Sequence, residues 1–334
     1  MAKRNVLDRL PSIAKGRLRK RAPPTWLGPM LATLTDERFS REGWLFEPKW
    51  AGERCLVFRR GRDLKLFSRN RKRLNEKYPE IADAFHQQET DSFIADGEIV
   101  TLKDGVSSFS KLQQRMQVDH PSPDLLRRVP VQLYLFDLLY VYRYDTRNVP
   151  LRYRKELLSN TFDFHGSLQL TKHRETDGEA YYKEACRLGL EGVIAKNGDS
   201  VYVSRRSRDW LKFKCRQEQE FVIGGYTDPQ GERVGFGALL VGYYRQGKLV
   251  YAGKVGTGFD NLTLQHLGRE LAELKSTSCP FTMNALPRSG VHWVEPKLVA
   301  QVGFTEWTRG GKLRHPRFLG LREDKRAKEV TREG

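Results

Sequence analysis

No stretch of this sequence holds the roughly 20 consecutive apolar residues that a helix needs to cross a bilayer. The N-terminus is basic but has no apolar core of the kind that marks a secretory signal. No membrane association is expected. Cysteine is scarce: Cys55, Cys186, Cys215 and Cys279 lie far apart among 334 residues and form no CxxC pair. That spacing excludes a zinc finger built from close cysteine pairs and gives no disulfide framework, so the four are expected to be core or surface thiols in a reducing cytosol. Internal repeats and low-complexity segments are missing. So is a steady strand–helix–strand rhythm, which argues against a doubly wound parallel sheet. Acidic residues are outnumbered, 41 against 59 Lys plus Arg, leaving a net charge of +18 and a pI near 9.8. A field of that sign speeds encounter with polyanions, of which nucleic acid is the commonest; an anionic membrane surface or plain basic solubility is the alternative.

What is present reads as a folded chain long enough for two domains. Residues 1–24 carry Lys3, Arg4, Arg9, Lys15, Arg17, Arg19, Lys20 and Arg21 against the single acid Asp8, ending in Pro23-Pro24. They read as a flexible basic arm that either lies along phosphates or is a solvated tail. From Trp26 strands and helices mix. WLFEPKW, CLVFRR and LKLFSR are strand-like, with a turn at Arg60-Gly61-Arg62. EKYPEIADAFHQQE has helical spacing through Ile81, Ala84 and Phe85. FIADGEIVTL, VQLYLFDLLYV, EGVIAKN and WLKFKCR read as further strands, and EAYYKEACRLGL as a helix. After about residue 216 the texture becomes glycine-punctuated and β-rich, with one helix near LTLQHLGRELAELK. Short strands plus one helix suit an OB-type barrel. The expected class is therefore α+β: a mixed domain over residues 25–216 and a barrel domain over 217–330.

Several residues carry candidate chemistry. Lys49 ends an apolar strand in FEPKWAGER. A nucleophilic lysine needs its amine deprotonated, which burial or neighbouring cations achieve. Gly52 allows close approach of backbone to a ligand, and Arg54 has the reach to grip a sugar or phosphate. Alone, K-x-x-G-x-R occurs by chance in basic proteins, and a surface lysine at a strand end is the plain alternative. Other groups strengthen the case. Asp96-Gly97-Glu98 puts two carboxylates beside an expected turn, and Glu191 opens a strand ending in Lys196. Lys212 and Lys214 alternate through WLKFK and so share a strand face. Paired carboxylates suit Mg²⁺ or a ribose, and clustered cations suit a triphosphate. Phe136 has the shape to stack on a purine, although a core phenylalanine is the commoner finding.

KWAGER, Ser68-Arg69-Asn70, DGE, Phe136-Asp137, EGVIAK, WLKFK and REDK occur in the order of the nucleotidyltransferase motifs of ATP-dependent DNA ligases. VEPKLVAQVGFTEWTRGGKLRHPRFLGLREDK and YAGKVGTGF resemble the ligase module of bacterial end-joining enzymes, and the likeness runs over residues 26 to 330. It implies a nucleotidyltransferase (adenylation) domain followed by an OB-fold domain. Lys49 would accept AMP from ATP, and the backbone around Glu47 would read adenine. Arg54 and Glu98 would contact the nucleotide sugar, Phe136 would stack on the base, and Arg69 would meet the 5′-phosphate of a nick. Glu98 and Glu191 would serve Mg²⁺ or Mn²⁺, while Lys212 and Lys214 would hold the α-phosphate. Arg322, Asp324 and Lys325 would orient the leaving pyrophosphate. The implied substrate is nicked or broken duplex DNA, with Ku or another repair protein as a possible partner, and the implied protein is a cytoplasmic, nucleoid-associated monomer. The length also implies a minimal ligase without polymerase or nuclease modules.

One position departs from the pattern. The family has aspartate two residues after the lysine, and this sequence has Ala51. A carboxylate there would orient the lysine or align metal and nick. Its loss keeps open a nucleotidyltransferase-fold DNA-binding protein impaired in turnover. RNA ligases and capping guanylyltransferases share the lysine chemistry and are the other alternative. An NAD-dependent ligase is disfavoured, since no four-cysteine zinc module is present.

Overall fold

The computed structural model describes residues 6–333 apart from Arg216, Gln230, Glu232, 283–285 and 287–289. Lys3 and Arg4 of the basic arm thus lie outside the described residues. The chain divides into two compact units, Met1–Cys215 and Arg216–Gly334. Among the described residues no helix is long and apolar enough to cross a membrane.

Two large sheets build the first unit, beside the small hairpin of Leu102–Lys103 with Val106–Ser107. The first runs in the order Arg19–Lys20, Tyr144–Asp145, Gln132–Val141, Ser92–Val100, Glu53–Arg60, Asp63–Ser68, with Leu168–Leu170 added parallel to Gln132–Val141. The second runs Arg174–Glu175, Trp44–Pro48, Gly192–Asn197, Arg206–Lys214, Leu31–Leu34. Side-chain alternation decides how they stack. Phe46, Val193, Ala195 and Phe213 project from one face of the second sheet and bury against Ala185 of the helix Gly178–Arg187. The opposite face carries Trp210, which shares a second core with Leu56, Ile94 and Phe136 of the first sheet. Beyond the first sheet, Val57, Ala95 and Leu133 pack with Ile81 and Phe85 of helix Pro79–His86 and Leu157 and Leu158 of helix Leu151–Thr161. Each large apolar side chain so buried contributes about 1.5–3 kcal/mol.

The basic N-terminal segment is not a free arm where it is described. Val6, Leu7, Leu10 and Ala14 are buried in the same core as Val57, Ala95 and Leu133, and Arg19–Lys20 pairs with Tyr144–Asp145 as an edge strand. Apolar residues at a helical spacing of three to four anchor it, a pattern masked by the surrounding cations. Asp96-Gly97-Glu98 likewise differs from expectation: it lies inside the continuous strand Ser92–Val100, not beside a turn. Cysteine pairing is a further correction. Cys186 and Cys215 form a disulfide with Cα atoms 5.2 Å apart, while Cys55 and Cys279 are free. The pair is 29 residues apart in sequence. The sheet brings the two together, with the Cys215 amide donating to the Glu191 carbonyl at 3.0 Å.

In the second unit the strand Gln217–Thr227 pairs with Leu239–Arg245, Val291–Val294 and Val299–Phe304. Leu239–Arg245 continues to Lys248–Val255, and Val299–Phe304 to Arg317–Leu321. The remaining seam of that five-stranded path is a single bridge, Thr257 to Arg317. The expected barrel is therefore not closed by a ladder among the described residues. Helix Asn261–Glu273 is capped by Asp260, whose carboxylate accepts the Thr263 amide at 2.7 Å, and it buries Leu264, Leu267 and Leu271.

Candidate active site

Lys49 follows the strand Trp44–Pro48, and its amide donates to the Gly192 carbonyl at 2.9 Å. Its ammonium is ion-paired with Glu191, and both side chains are largely buried. Gly192, between Glu191 and the rest of its strand, has φ 153°, and a Cβ there would meet the Phe213 carbonyl at 2.0 Å. A glycine is thus required for the strands to approach. Gly192 stands opposite Lys214, and Ile194 stands opposite both Glu47 and Lys212. By alternation Glu47, Lys212 and Lys214 share one sheet face, the face turned toward Phe136. Gly52, three residues after Lys49, allows a similar close approach to the first sheet: a Cβ would sit 2.1 Å from the Ile99 carbonyl.

Glu47 is buried between two lysines, with Oε1 2.5 Å from Lys155 Nζ and Oε2 2.6 Å from Lys196 Nζ. Burial alone would push its carboxyl up, but the two ammonium groups outweigh it and hold Glu47 below the usual carboxylate range. Burial, reinforced by Lys155 and opposed by Glu47, pushes Lys196 down to about 8. Lys196 Nζ also lies 4.2 Å from the Phe136 ring centre and 4.1 Å from that of Trp210, close enough for cation–π attraction.

Arg54 forms a bidentate pair with Asp96, with both N–O distances 2.6 Å. Tyr202 donates to Asp96 at 2.7 Å and accepts the Met30 amide at 2.9 Å. Burial opposes the Arg54 charge, but Asp96 more than compensates and its pKa rises. The guanidinium lies 4.6 Å from the Phe136 ring centre, and Glu98 stands opposite Arg54 on the neighbouring strand. Phe136 itself is at a register irregularity facing Asp96-Gly97, a local kink that re-aims a side chain. Arg69 lies in the turn after the strand Asp63–Ser68 and is half-buried.

The structure therefore gathers Lys49, Glu47, Arg54, Glu98, Phe136, Glu191, Lys212 and Lys214 onto two facing sheets of one unit. Arg322, Asp324 and Lys325 belong to the other unit. There Arg322 holds the fully buried Asp324 through two bonds of 2.9 and 2.8 Å, and Lys325 pairs with Glu220 at 2.9 Å. Among the described residues no group of three or more His, Cys, Asp or Glu side chains is placed to hold a metal. Glu98 and Glu191 are carboxylates of the donor type that Mg²⁺ takes beside substrate phosphates. Sequence reasoning missed Lys155, Asp96 as the partner of Arg54, and the buried pair of Arg154 with Asp137 at 2.7 Å. A signal existed: Leu151, Arg154, Lys155 and Leu158 are all buried on helix Leu151–Thr161. Two cations thus fill positions where helical spacing calls for apolar residues.

Comparison with known proteins shows the family to which the two units are similar. The family model "ATP dependent DNA ligase domain" matches residues 29–214, and "ATP dependent DNA ligase C terminal region" matches residues 232–325. The multifunctional non-homologous end joining protein LigD of Pseudomonas aeruginosa is 36% identical over 318 residues, covering 93% of this chain and 37% of that protein. The corresponding protein of Mycobacterium tuberculosis is 36% identical over 92% of this chain and 40% of its own length. The chain thus spans about two fifths of the length of these relatives. A solved structure of mycobacterial DNA ligase D complexed with ATP and MES covers 92% of this chain and 98% of its own, with 35% identity and a TM-score of 0.66.

Proposed function

Because this chain belongs to the ATP-dependent DNA ligase family, we propose that it seals nicks or breaks in duplex DNA through a lysyl-AMP intermediate on Lys49. The observation that carries the reading is Lys49 held against Glu191 at the sheet end where Lys214 stands opposite Gly192. In the first step Lys49 Nζ attacks the α-phosphorus of ATP; a P–N bond forms, the bond to the β-phosphate oxygen breaks, and pyrophosphate leaves. Lys49 must first leave Glu191 and give its ammonium proton to solvent, since only the neutral amine has a lone pair for the P–N bond. Lys212 and Lys214 neutralise charge on the α-phosphate, and Arg322, Asp324 and Lys325 orient the pyrophosphate. In the second step a DNA 5′-phosphate oxygen attacks the same phosphorus and displaces Lys49. In the third, the 3′-hydroxyl attacks the activated 5′-phosphate and expels AMP. Mg²⁺ held by Glu98 and Glu191 would neutralise phosphate charge. Positioning and electrostatics supply most of the catalysis in such transfers.

Phe136 and the backbone near Glu47 hold adenine on this reading, Arg54 and Glu98 the sugar, and Arg69 the 5′-phosphate. The two-lysine clamp on Glu47 fixes the strand that ends in the nucleophile. The end-joining relatives suggest broken ends presented by an end-binding partner such as Ku as one physiological substrate, with the nucleoid as its place of work. Ala51 supports a second reading, a DNA-binding protein stalled after the first step.

Incubation with α-labelled ATP and Mg²⁺, denaturing electrophoresis and a chase with nicked DNA separate these. Expected is label on the protein that is absent in Lys49→Ala and passes into sealed DNA. Label that forms but cannot be chased would favour the stalled reading. No label, even after pyrophosphate has stripped any bound AMP, would overturn the ligase reading.

A further inference from the structure

A rim of cations lies at the end of the first sheet away from the candidate site. Arg54 and Arg60 are on one strand, six residues apart, so the two ends are separated by about 20 Å at a rise of about 3.3 Å per residue. Four hydrogen bonds tie the tips at this end into one row. The Gly61 amide donates to the Asp91 carbonyl at 2.7 Å, and the Tyr142 amide to the Ser92 carbonyl at 2.7 Å. Ser92 Oγ returns a bond to the Tyr142 carbonyl at 2.9 Å, and the Arg21 amide donates to the Arg143 carbonyl at 3.1 Å. The row thus displays Arg60, Arg62, Tyr142, Arg143, Lys20 and Arg21, all exposed.

Charge along this row is not internally balanced. Arg21 pairs with Asp145, a carboxylate that Arg147 also holds. Among the described residues, Arg60, Arg62, Arg143 and Lys20 have no ion-pair partner; Asp63, which stands opposite Arg60, pairs with Lys65, and Asp91 is the other exposed acid at these tips. Burial raises the pKa of the Tyr140 phenol, opposed by Arg60 and Arg143 and reinforced by Asp145, and its hydroxyl donates to the Arg21 carbonyl at 3.0 Å. The segment carrying Lys20 and Arg21 is fixed by Arg19 opposite Asp145 and Lys20 opposite Tyr144. A rim in which cations outnumber acids and paired strands hold the tips suits a line of phosphates better than a flexible tail would.

We infer that this rim is a second binding surface for duplex DNA, gripping the phosphate backbone of one arm about 20 Å, or about six base pairs, from the nick. The position relative to a nick rests on the ligase reading above; the polyanion binding does not. Cations here hold the duplex without reading its sequence, since phosphate contacts position and base contacts specify.

The test combines Arg60→Ala, Arg62→Ala and Arg143→Ala in the full chain. Binding is measured on a long nicked duplex and on a duplex ending within about four base pairs of the nick, over a salt series. Each phosphate that the protein no longer neutralises takes about 0.9 from the slope of log K against log salt. On the long duplex the triple variant should show a slope shallower by about two to three and at least tenfold weaker low-salt binding. On the short duplex it should match the wild type, and its melting temperature and rate of lysyl-AMP formation should not change. Parallel salt plots on the long duplex would overturn the proposal, leaving the rim to an anionic protein. An equal defect on both duplexes would overturn it too. Failure of the wild type to take label from ATP would instead count against the ligase reading, and the long-duplex salt slope would still decide whether the rim binds DNA.

Discussion

Glu47 and Lys196 face each other from neighbouring strands, Oε2 and Nζ 2.6 Å apart, with only 2% of either side chain exposed. Lys155 closes the other side of the same carboxylate. Replacing Glu47 by Gln removes the counter-charge from two buried ammonium groups at once. Breaking a buried pair from one side typically costs about 3–5 kcal/mol. Denaturant unfolding of Glu47→Gln should show a loss of that order, and the nucleophile two residues away should lose its fixed strand. A loss below about 1 kcal/mol would mean that the clamp relaxes freely and has no part in holding the site.

The same clamp gives a pH signature. Lys196 is pushed down to about 8 in the folded chain against an ordinary 10.5, so between those values the unfolded chain binds more protons. Stability from this group therefore rises with pH through that window. Glu47 works in the opposite region: its lowered carboxyl stabilises the fold above the ordinary carboxylate pKa and loses that contribution as pH falls through the folded value. Melting temperatures of wild type and Lys196→Met between pH 7.5 and 10 should diverge in slope, with the variant flatter. Identical slopes would contradict the assignment to Lys196.

Cys186 and Cys215 join the end of helix Gly178–Arg187 to the residue after Lys214. A cross-link over a 29-residue separation restricts the unfolded chain by about 3–4 kcal/mol in the entropic account. Reductant should lower the melting temperature of the wild type by several degrees and leave Cys186→Ser unaffected. Intact mass before and after alkylation should differ by two thiols between oxidised and reduced protein. If the oxidised and reduced wild types melt together, the bridge does not form in solution.

Much of this architecture is legible in the sequence because apolar alternation and motif order agree. WLFEP, EGVIAK and WLKFK each put the charges within their strands on one face, shared with Leu45, Ile194 and Trp210, so the common face of Glu47, Lys212 and Lys214 follows from period two. The anchoring of the arm is not legible, because eight cations in residues 1–24 hide the short apolar pattern of Val6, Leu7, Leu10 and Ala14. Nor is the disulfide, because only the tertiary fold brings Cys186 to Cys215. Asp96 resembles a ligand group in the sequence, which cannot show that Arg54 already occupies it.

Arg322 and Asp324 form a two-point pair in which Asp324 is fully buried. Burial would push the Asp324 carboxyl up, but Arg322 and then Lys325 hold it below the usual range. Asp324→Asn should weaken the second unit as a buried charge loses its partner, by about 3 kcal/mol or more. It should also slow lysyl-AMP formation while a pre-adenylylated preparation still seals nicks. Equal slowing of both steps would mean that the pair supports the whole unit and not pyrophosphate orientation.

Ala51 is half-buried, its amide donating to Ser107 Oγ at 3.0 Å and its methyl group against the core of Val57, Ala95 and Leu133. It stands two residues after Lys49, where the family sequence pattern has aspartate. If the missing carboxylate limits transfer of AMP to DNA, Ala51→Asp should raise the single-turnover rate of the chase by about tenfold, equivalent to about 1.4 kcal/mol of barrier. Formation of lysyl-AMP should change less, because the cations at Lys212 and Lys214 remain where they are. The backbone bond to Ser107 does not depend on the side chain, so the variant should fold. An unchanged chase would show that this chain aligns the nick by other groups. A slower chase would show that the methyl group is the better fit here, and that the wild type already works at its own optimum.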